Sequence, residues 1–193
     1  MHIRLVGALA SAALSTIALS GCSNVNPMGM MEQVIGTAQS AYSASDLMFA
    51  AMMIPHHEQA LTMADLALNI SKNPEITHLA THIKDAQHPE IAQMRGWLEA
   101  AGQLGMLDMP GHDHGAMQGM LDDAAMSALS AATGSAFDKL FLQGMIAHHE
   151  GALVMVDMIN GSTNAEVTAL GDSIRTTQQA EIDEMKSLLA KLG

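Results

Sequence analysis

Two stretches of the chain, MMIPHHEQALTM at residues 52–63 and GMIAHHEGALVM at 144–155, each set a pair of adjacent imidazoles between thioethers. Residues three, four and seven apart share one face of a helix. Met53, His56, His57, Ala60 and Met63 therefore form one patch, and Met145, His148, His149, Ala152 and Met155 form another. Adjacent histidines lie about 100° apart around a helix, so both members of a pair cannot address one point. His56 and His148, each three residues after a methionine, are the better placed. Thioether with imidazole selects copper, above all Cu(I), whereas zinc prefers imidazole, thiolate and carboxylate. Methionine at helical spacing is also ordinary core filling. Duplication of the whole set favours ligation here.

Further donors lie on the helices that follow each patch. Glu90 with Met94, and Glu181 with Met185, are i, i+4 pairs that can aim a carboxylate and a thioether inward. With Lys72 as the centre of the intervening turn, His56 and His88 fall sixteen residues to either side and are expected level with each other. Pro55 and Pro89 adjoin them and interrupt the backbone ladder at one height. The second copy has Ala147, Ala180 and Gln179 at these places, so two unequal sites are expected, one per hairpin. Two unduplicated groups are secondary metal candidates: His78 with His82, and the Gly-rich stretch carrying Met106, Met109, His112, His114, Met117 and Met120.

The elements that must position these residues follow from the repeat. Asp46, Phe49, Met53, His56, His57, Glu58, Ala60, Leu61, Met63 and Asp65 recur 92 positions later, and Ile83, Gln87, Glu90, Ile91 and Met94 recur 91 positions later. Apolar spacing predicts helices over about 46–70, 74–101, 135–159 and 166–192. Asn73 is the expected N-cap of the second, with Pro74 at its first position; Thr163 and Glu166 are the expected capping box of the fourth. Each hairpin can bury its apolar face only against the other, which predicts an all-α, ferritin-like four-helix bundle. Hairpin 1 spans about 45–101 and hairpin 2 about 134–192. The joining segment, 102–133, is long enough to cross over along the bundle, with a short helix near 122–132.

Composition agrees. Hydrophobic residues make up 49% but aromatic residues only 3%, and 18 methionines far exceed what gap filling needs. A formal charge of −12 repels phosphate backbones, so nucleic acid is excluded as a partner. Residues 1–21 read as a secretory signal peptide, with Arg4 before an apolar run from Leu5 to Leu19. Leu19-Ser20-Gly21-Cys22 is similar to a bacterial lipobox, which would make Cys22 an acylated N-terminus and 22–42 a lipidated tether to the outer face of a membrane. Cys22 is the only cysteine, so its acylation would leave soft-metal chemistry to methionine.

At the duplicated M-I-x-H-H-E-x-A-L-x-M and Q-x-x-E-I-x-x-M elements the chain, over about 43–191, resembles the domain-of-unknown-function 305 family of exported bacterial proteins. The resemblance implies a ferritin-like bundle and a periplasmic copper binder acting in copper tolerance, without catalysis of its own. It supports Met53, His56, His57, Met63 and Met94 and their copies Met145, His148, His149, Met155 and Met185 as ligands; His88 falls outside its pattern. A copper donor or acceptor protein is the partner this implies. Two other readings stay open: a ferritin-like di-metal oxidoreductase, and a metal-free structural or interaction module in which methionine is plastic core.

Overall fold

The computed structural model describes residues 41–108 and 117–193. The signal peptide, Cys22 and nearly all of the tether lie outside the described residues, as do Met109, His112 and His114. Five α-helices occur among those described: α1 (Ala44–Ile70), α2 (Pro74–Ala100), α3 (Asp123–Ala131), α4 (Gly134–Val156) and α5 (Ala165–Lys191). Short 3-10 turns at Leu104–Asp108 and Asp157–Ile159 complete them, and there is no strand among these residues.

Local chemistry sets the helix ends. Ser43 and Asp46 form a reciprocal capping box, so α1 starts at Ala44, slightly before its apolar pattern begins. Asn73 caps α2 through the Glu75 N–H at 3.0 Å, with Pro74 at the first position as expected. Asp122 caps α3 by accepting from the Ala125 N–H. The expected box of Thr163 and Glu166 does not form. Asn164 caps α5 instead, accepting from the N–H groups of Glu166 and Val167. Asn164 is the repeat copy of Asn73 and caps its helix in the same way, its amide oxygen reaching the first-turn donors. Each such cap stabilises its helix by about 1 kcal/mol.

Two apolar clusters define the packing. One joins the N-terminal half of α1, the C-terminal halves of α2 and α4, and the N-terminal half of α5, including Phe49, Met53, Met94, Trp97, Met155 and Ile174. The other joins the opposite halves and includes Met63, Ile83, Phe137, Phe141, Met145 and Met185. These memberships require α1 to run antiparallel to α2 and α4, and α4 antiparallel to α5. Helices α2 and α4 are then parallel, which a tight turn cannot connect, so the link returns along the bundle. The chain is an all-α, ferritin-like bundle of two repeated hairpins.

The repeat is also visible in surface ion pairs. Arg95 with Glu58 at 2.7 Å is copied by Lys186 with Glu150 at 3.0 Å, and Lys84 with Asp65 by Arg175 with Asp157. Such exposed pairs each contribute at most about 1 kcal/mol. They fix the pseudo-dyad more than they stabilise it.

Both helices continue as α-helix through Pro55 and Pro89, so the expected break at their level does not occur. Each ring lies on an outward side, where the loss of one N–H is tolerated by solvent or a loop. Pro55 lines a groove with Leu104 and Leu107, the 3-10 turn that begins the crossover.

Candidate metal centre

Between the two apolar clusters lies a belt of buried polar side chains: His56, His57, Gln87 and Glu90 from hairpin 1, and His148, His149, Gln178 and Glu181 from hairpin 2. Helical periodicity places each on the inward face, since Gln87, Glu90, Ile91 and Met94 step by three and four, as do their copies. The His56 and His148 rings meet across the dyad in a tilted contact, with centroids 3.8 Å apart and planes at 37°. The expected two sites thus converge: the paired α1 and α4 segments face each other, bringing one histidine from each hairpin to a shared centre.

The second histidine of each pair turns to its own hairpin. His57 donates from Nε2 to Glu90 at 2.8 Å, and His149 donates from Nε2 to Glu181 at 2.7 Å. A carboxylate on one ring nitrogen fixes the ring and its tautomer and, in the neutral ring, leaves the other nitrogen's lone pair free. The Nδ1 atoms of His57 and His149 are buried without hydrogen-bond partners. His56 donates from Nε2 to the Gln118 carbonyl at 3.3 Å, and its Nδ1 has no partner. The ring nitrogens of His148 make no close hydrogen bond, with the His56 backbone approaching one of them, and the side-chain amides of Gln87 and Gln178 have no partner. Buried polar atoms left unpaired cost about 1–3 kcal/mol each, so this belt destabilises the bundle unless something occupies it.

Electrostatics keep the central pair neutral. Burial, and then the neighbouring His57, pull the His56 pKa from 6.5 to about 3. Burial also holds His148 well below its ordinary value, reinforced by the His56, His149 and His57 rings. Neutral imidazoles have lone pairs ready for a metal, with no proton to release first.

Among the described residues no three His, Asp or Glu side chains converge as a metal cluster. Thioethers are the other soft donors available to a metal beside these imidazoles. Six flank the belt. Met53 and Met94 of hairpin 1 share one apolar cluster with Met155 of hairpin 2, and Met145 and Met185 share the other with Met63. All are buried, five of them completely. The donor set is soft and fits copper.

The remaining candidates lie elsewhere. His88 is exposed, with Nδ1 donating to the Lys84 carbonyl at 2.9 Å, and it does not face His56. The contact of His57 with Glu90 centres the turn between residues 73 and 74 rather than on Lys72, so His56 lies closer in height to Ile91. His78 and His82 are exposed neighbours with ring centroids 4.0 Å apart. Met106 and Met117 pack against the Met53 cluster from the crossover, and Met120 is half-buried.

The crossover covers the α1–α4 side of the belt through a difference between the repeats. Gln59 uses its side-chain amide like a strand backbone, accepting from the Leu121 N–H and donating to the Leu121 carbonyl, both at 2.8 Å. Its copy is Gly151, where a Cβ would lie 1.9 Å from the Gln118 carbonyl oxygen. Gly119, at φ +85°, lies against the same surface, where its own Cβ would meet the Ala147 carbonyl at 2.3 Å. One copy grips the crossover and the other makes room for it. Sequence reasoning missed Gln59, Gly151, Gln118, Gln87 and Gln178. The last two recur in the repeat on the inward face, and that was their signal.

The chain resembles several solved structures. It is 31% identical to a DUF305 fragment from Deinococcus radiodurans, with a TM-score of 0.68, covering 77% of this chain and 97% of that one. It is 29% identical to a DUF305 protein from Streptomyces coelicolor described as secreted, with a TM-score of 0.70 and coverage of 77% and 92%. It is 31% identical to CopM in its Cu(II)-bound form, with a TM-score of 0.66 and coverage of 77% and 97%; CopM is also known in Cu(I)-bound and apo forms. A segment of 47 residues is 45% identical to the uncharacterised protein L153 of Acanthamoeba polyphaga mimivirus and spans only 31% of that protein's length. The family profile described as domain of unknown function (DUF305) matches residues 46–189, and the chain belongs to that family.

Proposed function

We propose that this protein is a lipid-anchored, extracytoplasmic copper-binding protein that buffers or passes on Cu(I) and has no catalytic activity of its own. The observation that carries this reading is the buried contact of the His56 and His148 rings, with ring nitrogens lacking close partners, between two apolar clusters that each hold methionines from both hairpins. Copper is here the cargo. Imidazole nitrogens from His56 and His148, the free Nδ1 atoms of His57 and His149, and sulfur from Met53, Met94 and Met155, or from Met63, Met145 and Met185, are its ligands. Glu90 and Glu181 orient the two outer histidines without binding the ion. Similarity to CopM, which has been solved with Cu(I), Cu(II) and silver, supports the same chemistry.

The lipobox-like Leu19-Ser20-Gly21-Cys22 and the Streptomyces relative described as secreted support export and anchoring through Cys22. Among the described residues no helix is long and apolar enough to cross a membrane. Acylation at Cys22 would then be the attachment. The delivering or receiving partner would be a copper donor or acceptor protein on the same side of that membrane.

Anaerobic titration with Cu(I) against a competing chelator tests the reading. The wild type should withhold copper from the chelator, and a variant carrying M53L, H56A, M145L and H148A should not, while both retain helical circular dichroism. Equal retention by the two proteins would reject the buried centre.

A further inference from the structure

The belt is closed on the α1–α4 side, where Gln118 and Gly119 lie against Ala147 and Gly151 and Gln59 holds Leu121. The α2–α5 side is different. Two adjoining clefts open there, of about 510 and 480 Å³, and both are lined by Ala86 and Thr177 near the pseudo-dyad. The larger reaches Glu181 and the smaller reaches Glu90. These are the same carboxylates that hold His149 and His57, so each cleft ends on the side chain that orients one buried imidazole.

The repeat makes the two clefts copies of each other, yet their rims have diverged. The Glu181 cleft carries His82, Asp85 and Glu184. The copies of these residues are Ser173, Thr176 and Gln93, and Ser173 and Gln93 line the Glu90 cleft. His78, whose ring lies 4.0 Å from that of His82, is likewise replaced by Ala169. Imidazole and negative charge have collected at one mouth only, although the buried belt beneath is duplicated.

We infer that the Glu181 cleft is the port through which copper enters and leaves the buried centre, with His82, Asp85 and Glu184 as a transient capture rim. This rests on copper being the cargo. A mouth of one charge sign concentrates the opposite ion and raises its rate of arrival by ten-fold or more at low ionic strength. Gln93 and Ser173 at the other mouth offer no charge, so that side contributes little to loading.

Double-mixing kinetics test this. Apoprotein at low ionic strength is mixed anaerobically with Cu(I) supplied as its acetonitrile complex, and a chelator added at set times captures the copper that has not yet entered. The combined H82A, D85N and E184Q variant should load ten-fold or more slowly while holding the same amount of copper at equilibrium. The combined Q93A and S173A variant should load at the wild-type rate. All five positions are exposed, so the fold survives either set of changes. Wild-type speed in the first variant, or equal slowing in both, would overturn the port. So would a lower copper capacity in the first variant, which would make the rim a storage site. A wild type that holds no copper would instead overturn the functional reading on which the port depends.

Discussion

Replacing His148 by leucine should make the copper-free protein more stable. His148 is 1% exposed, and its ring nitrogens make no close hydrogen bond, only an approach to the His56 backbone. Two unpaired buried nitrogens cost about 2–6 kcal/mol gross. Leucine has a similar volume and nothing to desolvate. Against that gain stand the lost ring contact with His56, worth about 0.5–1.5 kcal/mol, and imperfect packing of a branched side chain in a flat slot, costing about 1 kcal/mol. At the middle of these ranges a net stabilisation of about 2 kcal/mol remains, or a Tm rise of about 4–8 °C for a domain of this size. The same change removes a proposed ligand, so the shift produced by Cu(I) should shrink sharply. Thermal unfolding followed by circular dichroism, with and without Cu(I), reads both quantities. A loss of 2 kcal/mol or more in the apoprotein would refute the reasoning, because the imidazole would then be a satisfied structural group.

The low pKa of His56, about 3, and the lowered pKa of His148 predict acid sensitivity of the apoprotein. Both rings take up protons more readily unfolded than folded, so their contribution is full above about pH 6.5 and falls as pH drops toward 3. The slope is up to about 1.4 kcal/mol per pH unit for each ring, measurable as urea midpoints between pH 7 and 4. A midpoint independent of pH there would contradict it. Gly151→Ala should destabilise by about 1–3 kcal/mol, because its Cβ meets the Gln118 backbone at 1.9 Å. Gly96→Ala, with nothing within 4 Å, should stabilise by up to about 1 kcal/mol, and thermal melts compare the two. Glu90→Ala should strand the His57 ring and weaken Cu(I) retention by about ten- to a hundred-fold in chelator competition, with Glu90→Gln retaining more of it.

Much of the architecture was legible because it is local. Helix lengths follow from apolar spacing and from caps such as Asn73, and the 92-residue repeat announces two equivalent hairpins. The inward-facing histidines, methionines and glutamates were legible for the same reason. Tertiary register was not. Whether His56 meets His88, or instead meets His148 across the dyad, depends on how two helices pack, and an error of one or two residues in the turn centre rotates a side chain out of the core. His88 failed on that point. The merging of two expected sites into one belt has the same origin, since the repeat shows that the halves are alike without showing that their copies touch. The crossover was hidden for another reason: its contacts with Gln59 and Gly151 are made where the repeats differ, and similarity draws the eye to where they agree.

X-ray absorption at the copper edge of the Cu(I)-loaded protein tests the buried centre most directly. The spectrum should show a mixed shell of imidazole nitrogen and thioether sulfur that changes in His148→Leu. A shell of nitrogen and oxygen alone, unaffected by that substitution, would place copper on the surface histidines and contradict the centre at His56 and His148.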